Sequence, residues 1–190
     1  MSTSEAIRIA NASLTRTGNE PITSLDDGSA EAVVIANNYD LIIEEELCAY
    51  PYSWAKAERQ LSRLDEESIE GWAYIFQLPS DCIRVVKCHV GGKAVPFKRK
   101  EDKIYSNEES LSLEYIFRPE EEDWGADFKG KIIGRLEALC LRALSEDYDK
   151  AEAIESRADE KGRLVKSQDS QNQSPQDRRP TSRLVSCRRA

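Results

Sequence analysis

The chain has 190 residues, a formal charge of −8, and 39% hydrophobic against 33% charged residues. A chain of that size holds one domain with a modest core and some tail, and its charge content leaves little apolar material to wall a large catalytic cavity. No apolar run approaches the roughly 20 residues that span a bilayer, and the opening MSTSEAIRIANAS lacks a basic region followed by an apolar stretch, so neither a membrane segment nor export by a signal peptide is expected.

SEAIRIANASLTRTG opens with Ser4 as a candidate N-cap and closes at Gly18, with Ala6, Ile7, Ala10 and Leu14 on one side. That pattern predicts an amphipathic helix over about 4–17. Pro21, Asp26, Asp27 and Gly28 then form a turn-rich stretch, and Ser29 caps a longer helix, about 29–50, whose stripe runs through Ile35, Ala36, Tyr39, Ile42, Ile43, Leu47 and Tyr50. Pro51 interrupts it. Trp54, Ala57, Leu61 and Leu64 resume a helical spacing and predict a helix over about 53–64.

The middle of the chain changes character. Trp72, Tyr74 and Phe76 are followed by the LPSD turn, the run IRVVKCHV, the pair Gly91-Gly92 and AVPFKR, which together read as a hairpin. KIYS and SLSLEYIFR add strands, giving one antiparallel sheet of three or four strands over about 73–118. Pro79 and Asp81 set the turn into the strand, and Arg84 is expected to pair with a carboxylate. The aromatic residues, Trp54 and Trp124 among them, are expected in the core or at subunit contacts, because a base-stacking platform needs a basic groove and their neighbours are mixed or acidic.

After RPEEEDWG, a helix over about 124–148 carries two apolar stripes, Phe128, Ile132, Leu136, Leu139, Cys140 and Ala143 on one and Ile133, Leu141, Leu144 and Tyr148 on the other, so it should lie between two neighbours. A more charged helix, about 150–162, keeps Ala151, Ile154, Ala158 and Val165 in register and is expected to fray near Gly162. From residue 167 the composition turns to Gln, Ser, Pro and Arg, which predicts a disordered or extended arm, 167–190, attached to a domain of residues 1–166. The arm holds five arginines and two aspartates, opposite in sign to the rest of the chain.

Five widely spaced cysteines cannot all pair within one chain, so reduced thiols are expected. Cys82, Cys88 and His89 lack the paired spacing of a zinc site. A single histidine, with no GxSxG, P-loop or HExxH pattern, offers no nucleophile–base pair. The expectation is therefore no enzyme, no metal and no cofactor. A hydrolase working through two carboxylates remains an alternative, since glycosidases need only such a pair and the chain has 35 acids; a small cellular interaction module is the other.

ASLTRTGNEPITSLDD, YPYSWAKAERQL, YIFQLPSDCIRV, SLSLEYIFR and the Asp-Phe that opens the long Ala/Leu helix stand in an order that resembles the head-to-tail adaptor (connector) family of tailed bacteriophages, the group that includes tail tubular protein A. The resemblance spans residues 5 to about 165 and departs at Tyr52, where the family often has Trp, in the short middle region and in the C-terminal tail. It implies an α+β fold, mostly α: an antiparallel helical bundle with an inserted small antiparallel sheet and the extended C-terminal arm. It also implies a virion structural protein at the head–tail interface, assembled in the bacterial host cytoplasm as a ring, commonly a dodecamer. Such a ring binds the portal protein on one side and a tail or nozzle protein on the other, and passes double-stranded DNA without reading its sequence.

Three sets of residues become candidates within that expectation. Arg178, Arg179, Arg183, Leu184 and Val185 would dock the arm on the portal by bidentate contacts and an apolar anchor, the alternative being an arm that touches nucleic acid without specificity. Glu44, Glu45, Glu46, Glu120, Glu121 and Glu122 would face the channel and repel phosphates, with an ordinary solvated face as the alternative. Cys187 would form an intersubunit disulfide in oxidising surroundings, or else is an incidental exposed thiol.

Overall fold

A computed structural model describes residues 3–66 and 71–172. The described residues form four helices and two small antiparallel sheets, an α+β fold. Thr3–Thr17 is α1 and Ala30–Ala49 is α2. Ser4 lies inside the first turn of α1 rather than before it, a displacement of the size expected at helix ends. Ser29 caps α2, its hydroxyl accepting from the amide of Ala32. The turn between the helices is tied back to α1 by Asn11, whose side chain donates to the carbonyl of Ile22 at 2.9 Å and accepts from the Ile22 amide at 2.8 Å.

The expected helix at 53–64 is absent. Ser53–Ala55 is a single 3-10 turn, Lys56–Gln60 is strand β1 and Arg63–Leu64 is β2. Ala57 and Leu61 are four apart, a spacing that fits a strand's period of two as well as a helix's 3.6. Pairing decides between them: β1 lies antiparallel to β8, with Ala57 opposite Tyr115.

The remaining strands are β3 (Tyr74–Gln77), β4 (Arg84–Val90), β5 (Lys93–Ala94), β6 (Lys98–Lys100), β7 (Lys103–Ser106) and β8 (Ser112–Ile116). The expected single sheet is two, in the orders β1-β8-β4-β5 and β2-β3-β7-β6. Gly91 and Gly92 both have positive φ, 55° and 81°, the pair of left-handed residues that a two-residue hairpin between β4 and β5 requires.

The first sheet is a wall between two cores. Leu113, Tyr115, Cys88 and Val85 face Phe76, Ile104 and Leu78 of the second sheet's side. Ile116, Ile83 and Val86 face the helices, where they join Leu14, Ile35, Ile43, Leu47, Tyr52 and Phe128. Consecutive strand residues point to opposite faces, so Val85 serves one core and Val86 the other, and a bulge between Val85 and Lys87 places one extra residue of β4 opposite β8.

Ala126–Ala143 is α3, which packs on α1, α2 and the long Tyr148–Asn172 helix, α4. Its position between two neighbours follows the expectation from its two faces, but the second face differs. Tyr148 of that face is exposed, as is Ala143 of the first, and α4 meets the expected Leu141 together with Lys131, Gly134, Arg135 and Ala138. Helix α4 runs unbroken through Gly162, which is buried against the Lys131 stem; an added Cβ there would lie 2.9 Å from Lys131 Cε. The helix also continues past residue 167, so the segment 167–172 is helical rather than extended.

Candidate functional site

The six acids proposed for a channel separate by burial. Glu46 and Glu121 are not available to any channel: both are buried within the subunit. Glu46 sits on the inner side of α2, where it accepts from Lys131 Nζ and, at 2.8 Å, from Arg135 Nε. Arg135 reaches on to Glu155 at 2.7 Å and Asp159 at 2.6 Å on α4, and Arg142 also donates to Glu155. The result is one chain of ion pairs through α2, α3 and α4. Burial works against the charge of Arg135, but hydrogen bonding and attraction from Glu46, with Asp159 and Glu155 behind it, outweigh that penalty and raise its pKa.

Glu121 lies in the acidic 3-10 turn Glu121–Asp123 and accepts from Arg118 at 3.2 Å, while the other guanidinium nitrogen of Arg118 donates to Asp40 of α2 at 2.7 Å. In the sequence each Glu run has one composition and reads as one patch. In a helix or turn, adjacent residues point in different directions, and the third residue of the first run falls on the core side. Glu44, Glu45, Glu120 and Glu122 are exposed.

Arg84 pairs with no carboxylate among the described residues. Its Nη1 donates to the carbonyl of Cys48 at 2.7 Å. Cys48 belongs to the last turn of α2, which has unsatisfied carbonyls, the negative end of the helix dipole and no basic residue of its own. Strand β4 thus supplies the cation that the helix lacks. The LPSD turn forms as expected, with the Cys82 amide donating to the Pro79 carbonyl at 3.1 Å, and Asp81 accepts from the Tyr115 hydroxyl at 3.0 Å.

Tyr50, Tyr52, Trp54, Phe128 and Trp124 make one run of ring contacts, with centroids 4.9 to 5.4 Å apart. The end of α4 is fastened beside it. Asp169 accepts from the amide and hydroxyl of Ser53, and the Tyr50 hydroxyl donates to the Lys166 carbonyl at 3.1 Å. Phe76 is buried in the sheet core, and Arg63 lies over the Tyr74 ring, 4.4 Å from its centroid.

Between α1, α3 and α4 lies a cleft of about 140 Å³ with Gly130, Gly134 and Ala158 on its floor and Arg16, Arg157 and Lys161 around it. Its acid is Glu137, 3.7 Å from Arg16. On the opposite side of the charge balance, the outer face of α2 carries exposed Val33 and Leu41 together with Glu44 and Glu45.

Cys88 belongs to the core between the sheets, and Cys82, in the turn before β4, packs against it. Burial pushes the Cys88 thiol up to about 12 and Cys140 up to about 11, whereas Cys48 is exposed. His89 Nε2 lies 3.1 Å from Glu58. No group of three His, Cys, Asp or Glu side chains gathers as a metal site among the described residues, and no described helix is long and apolar enough to cross a membrane. The docking candidates Arg178, Arg179, Arg183, Leu184 and Val185, and Cys187, lie outside the described residues.

No protein-family model matches the chain, and no curated protein sequence matches it.

Proposed function

We propose that this chain is a structural virion protein, a head-to-tail adaptor of tailed bacteriophages that works as one subunit of a ring beneath the portal. The observation that carries the reading is the ordered set of motifs from ASLTRTGNEPITSLDD to the long Ala/Leu helix. The motifs have structural tasks in the fold: Ile22 of the first is clasped by Asn11, Trp54 and Ala55 of the second pack in the helical core with Phe128 of the last, and Asp81 of the LPSD turn accepts from Tyr115 of SLSLEYIFR. In this reading the four helices are the bundle and the two sheets are the insertion.

A ring requires that each subunit present two unlike surfaces, because head-to-tail contacts join different patches. The outer face of α2, with Val33, Leu41, Glu44 and Glu45, and the cationic cleft at Arg16, Arg157 and Lys161 differ in just this way. They support, as a pair, the choice of a ring. The hydrolase alternative would want two carboxylates flanking a cleft, and Glu137 is the acid that this cleft contains. The portal would be engaged by the basic C-terminal residues, and the exposed acids Glu44, Glu45, Glu120 and Glu122 remain the candidates to face DNA.

The test is the mass, by light scattering, of the full chain mixed with its portal protein, against a chain ending at Asn172. That end point leaves the Asp169–Ser53 and Tyr50–Lys166 contacts intact. The adaptor reading expects a ring-sized complex from the full chain and a weakened one after truncation. A full chain that stays monomeric with portal present overturns it. Undiminished binding by the truncated chain removes the arm from the docking role.

A further inference from the structure

Two edge strands, one from each sheet, follow one another in sequence. Strand β5 ends the first sheet, β6 ends the second, and Val95, Pro96 and Phe97 join them. Within those eight residues stand Lys93, Lys98, Arg99 and Lys100, all exposed. Every residue of β6 is a cation. None of the four makes an ion pair or a side-chain hydrogen bond among the described residues, although the chain has a formal charge of −8 and most of its buried or half-buried cations are paired. The neighbouring Lys103 is already occupied, 2.6 Å from Glu66, and Lys87 lies 2.9 Å from Glu114.

We propose that this double edge, Lys93 with Lys98, Arg99 and Lys100, is a contact surface for the phosphate backbone of double-stranded nucleic acid. Three arguments favour phosphate over an acidic protein. Protein interfaces are built on buried aromatic and apolar anchors and are depleted in lysine, whereas three of these four cations are lysines and Phe97, the aromatic residue of the segment, is half-buried already. Backbone contacts to nucleic acid need charge without a pocket, and lysines on an extended edge supply it as separate point charges. A basic stripe on one edge of a chain whose formal charge is −8 is also the footprint expected of a phosphate contact rather than of a general stickiness. Edge lysines do guard sheets against pairing with other sheets, which is a competing task that the test must separate.

The surface needs no ring, so failure of assembly with the portal leaves it standing, and failure of DNA binding leaves the adaptor reading standing. The probe is a short fluorescent duplex of arbitrary sequence, with affinity measured over a range of salt concentrations. Three proteins are compared: the full chain, the chain ending at Asn172, and a K98A/R99A/K100A variant of that shorter chain.

The shorter chain is expected to bind the duplex with a measurable salt slope. Removing three phosphate contacts should reduce that slope by about 2.7, at roughly 0.9 per contact on duplex DNA. K98R/K100R should keep it. Loss of all binding on truncation at Asn172 would assign the contact to the C-terminal arginines and overturn the proposal. So would an unchanged slope in the triple variant. Equal competition by polyglutamate at matched charge would point to an acidic protein instead, and self-association of the triple variant without any change in DNA binding would leave the cations as edge guards only.

Discussion

Lys131 of α3 donates its ammonium to the carboxylate of Glu46 on α2, and both side chains are buried. The pair is the inner end of the ion-pair chain that continues through Arg135 to Glu155 and Asp159 on α4. Two charges taken out of water cost several kcal/mol each unless they meet. Glu46→Ala should therefore destabilise the protein by about 3–5 kcal/mol, because Lys131 is then left buried beside Arg135 with no acid between them. The double variant Glu46→Leu/Lys131→Met should recover most of the loss, since a packed apolar pair of similar volume needs no compensation. Urea unfolding followed by circular dichroism measures both, and a single variant as stable as the parent would contradict the buried pair.

Gly162 supplies a second test of the same crossing. In an exposed helix interior, glycine to alanine gains about 1 kcal/mol. Here a Cβ would lie 2.9 Å from Lys131 Cε and 3.0 Å from Nζ, and the stem cannot swing away without leaving Glu46. Gly162→Ala is expected to lower the unfolding midpoint. An increase of the size seen in ordinary helices would show that Lys131 has room to move.

The thiols should separate cleanly. Cys48 is exposed, while Cys88 and Cys140 are buried and held protonated, at about 12 and about 11. The thiolate is the reactive form. In a Cys187→Ser background at pH 8, a thiol reagent should modify Cys48 within the first phase and reach Cys88 and Cys140 only on unfolding. Rapid modification of Cys88 in the folded protein would mean that the two sheets do not close over it.

Stability should depend on pH at both extremes, with opposite signs. Glu5, Asp27 and Asp147 have pKa values lowered chiefly by hydrogen bonds from Lys129, Ser29 and Lys150 respectively. The unfolded chain binds protons at these sites first, so their contribution is present above the ordinary carboxylate range and is lost as pH falls through the lower folded values. Tyr39 and Tyr52 are raised above the ordinary phenol value, chiefly by burial. Their hydroxyls stay protonated in the folded state, so stability is unaffected below about pH 10 and falls as pH rises beyond it. Tyrosine absorbance during an alkaline titration should show these two ionising last, together with loss of the fold; early ionisation of Tyr52 would contradict its burial.

Helices α1, α2 and α3 were legible in the sequence because each carries a stripe at helical spacing with a recognisable start or stop, as at Ser29 and Gly18. The Gly91-Gly92 hairpin was legible because few residues tolerate two positive φ angles in succession. Strand β1 was not, since Ala57 and Leu61 satisfy both periods and only pairing with β8 chooses. The division into two sheets was equally hidden, for it depends on which strands meet, and alternation says nothing of partners. Among the candidate residues, burial of Glu46 and Glu121 escaped because three glutamates in a row look alike until a helix or turn aims one of them inward. The cations at β5 and β6 were visible as letters, and their significance came only when both strands proved to be edges.

Strand β8 belongs to both interiors at once: Leu113 and Tyr115 are lodged on one side, Ile116 on the other. Neither half can loosen without withdrawing support from its neighbour through that shared strand. A body built in this way should melt in one step and, when pulled or pushed at its helical end, pass the load to its β end instead of bending between them.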